Sequence, residues 1–271
     1  VRGGDPPVEL HPTLLDLLRE FLPPHVVGPP AREVALATAA NRQGTREAML
    51  QAIRHFEAAR SNWHTAEDPG EEARTLYTIA FIYIELGDEE KALSNATAAL
   101  PLAQTAGNNQ LLGRVLDCIG EVHNNFSEKK DALDYYTQAL TLAQASGDRA
   151  GEAQTLNNLG VAYLGLGDKR KALELLNESK GILRPLQDRR TLAMVSSNIG
   201  AIYDNLGDYQ LSVESHQYAL SLRRELADRA AEALTQNNIG SAYSGLAEYQ
   251  KALNAYTAAL EINRANDSRW N

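Results

Sequence analysis

Asparagine returns at one position every 40 residues, as Asn158, Asn198 and Asn238, inside the phrases TLNNLG, VSSNIG and TQNNIG. A carboxamide donates and accepts hydrogen bonds at once. A row of them can pair with the alternating N–H and C=O groups of an extended peptide, whatever its side chains. Three such bonds, at about 0.5–1.5 kcal/mol each, would change affinity by about 10- to 2,000-fold. Asn157 and Asn237 stand beside two of the three and carry the same chemistry. Inside a helix asparagine costs about 0.5 kcal/mol against alanine, so its recurrence needs a reason. Two readings stay open: the amides grip a ligand, or they bond the neighbouring repeat and set how repeats stack, a remnant of duplication included.

Other chemistry fails on spacing. Cys118 and His123 are five residues apart on one expected helix, about 140° round its axis, so they do not form a nucleophile–base pair. His123 falls in a column of tyrosines and is expected to be a packed core residue. Cys118 falls in the asparagine column and is expected to be a small wall residue rather than a reactive thiol. LGLGDK (164–169) lacks the GK[ST] ending of a phosphate loop and recurs as an ordinary turn. No metal-ligand spacing is visible. The expectation is therefore a non-enzyme with no cofactor and no metal. N-x-[ST] sequons at Asn95, Asn125, Asn177 and Asn266 fall in or beside expected helices and decide nothing.

The elements that must position the amides follow from the same period. Gly120, Gly160, Gly200 and Gly240 recur with Ala80 in register. Three residues on come Tyr83, His123, Tyr163, Tyr203 and Tyr243, and six on come Leu86, Phe126, Leu166, Leu206 and Leu246. A short turn comes next (Gly87-Asp88, Ser127-Glu128, Gly167-Asp168, Gly207-Asp208, Ala247-Glu248), and each unit ends on a second break at Asn108, Asp148, Asp188 or Asp228. Self-similarity at such a period marks stacked repeats. Leu156, Leu159, Gly160 and Tyr163 share one helical stripe, which is expected to be buried. The Gly-Asp turns stop one helix and cap the next. Each unit is thus predicted to be an antiparallel hairpin of two helices, about 16–18 residues each and roughly 25 Å long.

Gly160, Tyr163, Leu166-Gly167, Ala172 and Leu176, with Gly240, Tyr243, Ala252 and Tyr256, stand in the spacing of a tetratricopeptide repeat. The usual repeat has 34 residues; at 40, this one resembles the longer form of kinesin light chains, Pins-type spindle-orientation adaptors and bacterial proteins with a caspase-like CHAT domain. GDRAGEAQTLNNLGVAYLGLGD (147–168), ADRAAEALTQNNIGSAYSGLAEYQKAL (227–253) and NRQGTREAMLQAIRHFEAARSNW (41–63) are most similar to the bacterial group. The resemblance implies an all-α, right-handed superhelical solenoid that binds partners on its concave side. It implies too that residues 154, 158, 161 and 165 line that groove, with their equivalents in other units, and that groove asparagines hold the ligand.

Expected organisation is a proline-rich N-terminal arm (1–30), an irregular leading helical pair (31–67) and five 40-residue units (69–268). Seven of the ten prolines lie in the arm, where only LLDLLREFL (14–22) could form a short amphipathic helix. The groove candidates are Asn157, Asn158, Asn198, Asn205, Asn237 and Asn238, with a mixed-charge end at Arg74, Arg114, Asp117 and Glu121. No lysine falls in these columns, which argues against a clamp for a terminal carboxylate. The net charge is −9, with 35 acids against 26 bases, so nucleic acid and anionic membrane are unfavourable partners. A protein or peptide segment is expected instead, in the cytoplasm. The alternative function is an oligomerising or autoinhibitory scaffold. The final helix leaves Leu253, Tyr256 and Leu260 in need of cover, which favours continuation of the chain or self-association there, and the N-terminal arm offers a second route. A chain that opens on Val1 reads as a fragment or a processed form.

Overall fold

Asp and Asn before helices, and glycine after them, set the rhythm of this chain. The computed structural model describes residues 29–41, 45–126 and 128–267. Among these residues there are twelve helices and no strand: α1 (Pro29–Asn41), α2 (Arg46–Thr65), α3 (Pro69–Leu86), α4 (Glu89–Thr105), α5 (Asn109–Asn125), α6 (Lys129–Ser146), α7 (Arg149–Gly165), α8 (Lys169–Leu186), α9 (Arg189–Leu206), α10 (Tyr209–Glu225), α11 (Arg229–Gly245) and α12 (Tyr249–Asp267). The expected arm lies outside the described residues except for its last two positions, and LLDLLREFL lies outside them entirely.

The caps explain the boundaries. Side chains of Asp68, Asp88, Asn108, Asp148, Asp168, Asp188 and Asp228 each accept from the backbone N–H three residues on, at 3.0–3.2 Å. Each satisfies one donor that a helix start leaves open. Glu128 and Asp208 stand in capping positions and make no such bond. At the other ends the backbone turns left-handed at 20-residue intervals. Glycine takes most of these positions, as at Gly87 and Gly207 (φ 72° and 81°), but Gln187, Ala227 and Ala247 adopt the same conformation (φ 53–58°). A side chain there is disfavoured by roughly 1–2 kcal/mol, so the turn is imposed by its surroundings.

Packing within a hairpin follows the glycine column. A Cβ on Gly120, Gly160, Gly200 or Gly240 would come within 2.6–2.8 Å of the side chain 16 residues later: Tyr136, Leu176, His216 or Tyr256. The missing methyl lets each large group press onto the first helix. Where the first helix carries Ala80, the partner shrinks to Ala96, and both are fully buried.

The chain divides into two compact units, Val1–Gly151 and Glu152–Asn271. In the first, one core runs through Met49, Phe56, Leu76, Ile79, Ile82, Val115 and Ile119. In the second, Leu220, Ile239 and Ala255 join α10, α11 and α12, with Tyr243 against them. On α12, Tyr249, Leu253, Tyr256 and Leu260 are exposed. No described helix is long and apolar enough to cross a membrane.

Candidate partner-binding wall

The first helix of each hairpin turns its glycine stripe toward the second helix, which leaves the candidate columns on its other side. In the unit Val1–Gly151 these sit on α3 and α5. Arg74 donates through Nε to Glu71 Oε1 at 3.3 Å. The Arg114 guanidinium lies 3.6 Å from Asp148 Oδ2, which also accepts from Gln110 Nε2 at 2.9 Å. Asp117 and Glu121 are buried. Burial pushes the Glu121 carboxyl up to about 8, so it is protonated at neutral pH. This end therefore presents less negative charge than its sequence suggests.

Cys118 is fully buried, and its thiol lies 3.8 Å from the Tyr77 carbonyl. Burial pushes its pKa well up, and the nearby acids Glu121 and Asp117 add to that. The thiolate that nucleophilic chemistry needs is thus disfavoured, and Cys118 is enclosed rather than standing on an open wall as its column suggested. His123 is only partly buried, with 14% of its side chain exposed. Its ring stacks on Tyr135 at 5.3 Å.

In the unit Glu152–Asn271 the amides sit on α7, α9 and α11, and their exposure rises along that order. Asn157 and Asn158 are buried. Asn158 Oδ1 accepts from Gln154 Nε2 at 3.2 Å and from Asn157 Nδ2 at 3.1 Å. Asn157 Oδ1 in turn accepts from Asn198 Nδ2 at 2.9 Å, which ties α9 to α7. These bonds belong to the stacking reading. Asn198 and Asn238 are half-buried and Asn237 is exposed. Among the described residues, Asn237 and Asn238 make no side-chain hydrogen bond, nor does Asn198 Oδ1. Asn205 is exposed and donates to the Ala201 carbonyl at 2.8 Å. Beside Asn237 and Asn238, Leu234 is 46% exposed.

The structure thus joins Asn157, Asn158 and Asn198 in one network and leaves Asn237 exposed and Asn238 half-buried outside it. Residue 154 was expected on the groove side, but its part in this network, as the donor Gln154, was not foreseen. Its spacing of four from Asn158 was the signal available.

The tetratricopeptide repeat model matches residues 111–184 and 191–265, and a second model of the same description matches 73–104. No curated protein matches the chain. Among solved structures, the chain is similar to BtubC (BKLC) from P. vanneervenii, at 22% identity over 87% of this chain and 92% of that one, TM-score 0.68. It is similar to a Rap protein complexed with competence and sporulation factor, at 15% identity over 95% and 82%, TM-score 0.62. It also resembles a STAND protein with a tetratricopeptide repeat sensor from Pyrococcus horikoshii, at 15% identity over 93% of this chain and 41% of that one, TM-score 0.66. At such identities the likeness carries the fold.

Proposed function

Because this chain belongs to the tetratricopeptide repeat family, we propose that it is a non-catalytic interaction module that holds an extended segment of a partner protein. The contact we assign lies in the unit Glu152–Asn271, on the accessible amides of α9 and α11. One observation carries this reading: the exposed Asn237 and half-buried Asn238 make no side-chain hydrogen bond among the described residues, next to the exposed Leu234. Such a surface offers backbone pairing and an apolar foothold together. Asn157 and Asn158 position Asn198 so that its Oδ1 points to a ligand N–H. Asn205 extends the same side of α9. In the other unit, Arg74 and Arg114 would meet acidic ligand side chains, and Asp117 and Glu121 would support them from within. In the native protein the module would serve as a sensor or docking part.

A second reading is a self-associating scaffold, favoured by the four exposed apolar side chains of α12. Panning a random peptide display library separates the two. The wild type and the variant Asn198→Ala/Asn237→Ala/Asn238→Ala are compared at equal helicity. Peptides that stay on the wild type and leave the variant are the expected result. No enrichment on the wild type, or equal retention by both, would sink the peptide reading in favour of the scaffold.

A further inference from the structure

Three positions around the interhelix turn carry a built-in cation in other hairpins of this chain. In the hairpin α3–α4, Lys91 Nζ lies 2.7 Å from Asp88 Oδ2 and 5.3 Å from the centre of the Tyr83 ring. In α11–α12, Lys251 pairs with Glu248 and lies 5.3 Å from the Tyr243 ring. An ammonium is thus held between a carboxylate and an aromatic face. In α5–α6 the aromatic becomes His123, the carboxylate Glu128, and the lysine becomes Asp131. The protein's own cation has gone, and two acids and an imidazole converge instead. His123 Nδ1 lies 2.5 Å from Glu128 Oε2, and the ligand atoms of all three residues lie within 4.8 Å of one another.

Further details favour a ligand at this point. Glu128 occupies a capping position yet makes no capping bond, so its carboxylate is not engaged by the helix start. The His123 ring is held flat against Tyr135, with an angle of 5° between the planes. Of the two lysines between Glu128 and Asp131, Lys129 donates instead to the Asn124 carbonyl at 3.3 Å. We propose that His123, Glu128 and Asp131 bind a divalent first-row transition metal, of the Zn2+ type, which clips the end of α5 to the first turn of α6.

The donor set selects the class. One imidazole nitrogen with two carboxylates suits Zn2+ and its neighbours, whereas Ca2+ and Mg2+ take oxygen ligands almost alone. Ligands about 2.1 Å from a tetrahedral metal stand roughly 3.4 Å apart. Glu128 and Asp131 are exposed, so their side chains are the ones that would adjust to that spacing.

The test is calorimetric titration of the full chain with Zn2+, wild type against His123→Tyr/Asp131→Lys. That variant restores the residues found at 83 and 91, so it is expected to fold, and circular dichroism checks that it does. The wild type should bind one Zn2+ more tightly than the variant, by about tenfold or more, and only the wild type should gain melting temperature from that ion. Other histidine–carboxylate pairs, His55–Glu33 and His64–Glu72, set the background common to both proteins. Equal Zn2+ binding by the two, or none by the wild type, would overturn the site. Mg2+ or Ca2+ binding as strong as Zn2+ would overturn the metal class.

Discussion

His216 departs from its column, and the departure makes stability depend on pH. Tyr136, Leu176 and Tyr256 fill the equivalent place, each against a glycine of the facing helix. His216 is fully buried there, with Nε2 3.4 Å from Asp204 Oδ2 and no partner for Nδ1 among the described residues. Burial lowers its pKa most, Asp204 opposes that, and Arg223 adds to the lowering. A folded-state pKa below the unfolded value means that the unfolded chain binds the extra proton. Stability is then fully present above the unfolded pKa of about 6.5 and falls as pH drops through it, by at most about 1.4 kcal/mol per pH unit. Urea unfolding between pH 7.5 and roughly 5 should show this slope in the wild type. In His216→Leu, which copies Leu176, the slope should be smaller. Equal slopes would show that His216 does not titrate with unfolding. The column and its substitution are visible in the sequence; the approach of Asp204, 12 residues away on the preceding helix, is not. The amides behave likewise. Asn158 and Asn238 are equivalent by period, yet one is buried and bonded by Gln154 and Asn157 while the other is only half-buried.

Helix pairs that carry a glycine at the column of Gly160 depend on the absence of a methyl there. A methyl on Gly160 would sit 2.8 Å from Leu176 Cγ and 3.3 Å from the Ala172 carbonyl oxygen. Overpacking of this kind costs about 1–3 kcal/mol, so Gly160→Ala should lower the urea midpoint. The Ala80 and Ala96 pair indicates the remedy: Gly160→Ala/Leu176→Ala should remove the clash, and the two changes should be non-additive. Strict additivity would mean that the hairpin absorbs the methyl elsewhere. Helix boundaries were largely legible, because Asn108, Asp148, Asp188 and Asp228 all cap as their position suggested. The left-handed turns at Gln187, Ala227 and Ala247 carry no glycine to announce them; only the period marks them. The triad of His123, Glu128 and Asp131 was hidden because its members form no familiar spacing and meet only once the turn brings α6 back to α5.

For the whole chain, fold and function were legible to different degrees. The 40-residue period fixes hairpins and their order, since a hairpin that cannot bury its stripe alone must stack. A ligand is not encoded by period, because the side that stacking leaves open tolerates many residues. The proposed contact rests on the accessible amides of α9 and α11, the half-buried Asn198 and Asn238 and the exposed Asn237. If its amides accept from ligand backbone N–H groups, methylating those nitrogens must matter only when the asparagines are present. The decisive measurement is a calorimetric titration with one enriched peptide and its copy N-methylated at two backbone positions, on wild type and on Asn198→Ala/Asn237→Ala/Asn238→Ala. Methylation should weaken wild-type binding by about tenfold, as two hydrogen bonds of ordinary strength require, and leave the residual affinity of the variant unchanged. An equal loss on both proteins, or no loss on the wild type, would contradict backbone recognition by the amides.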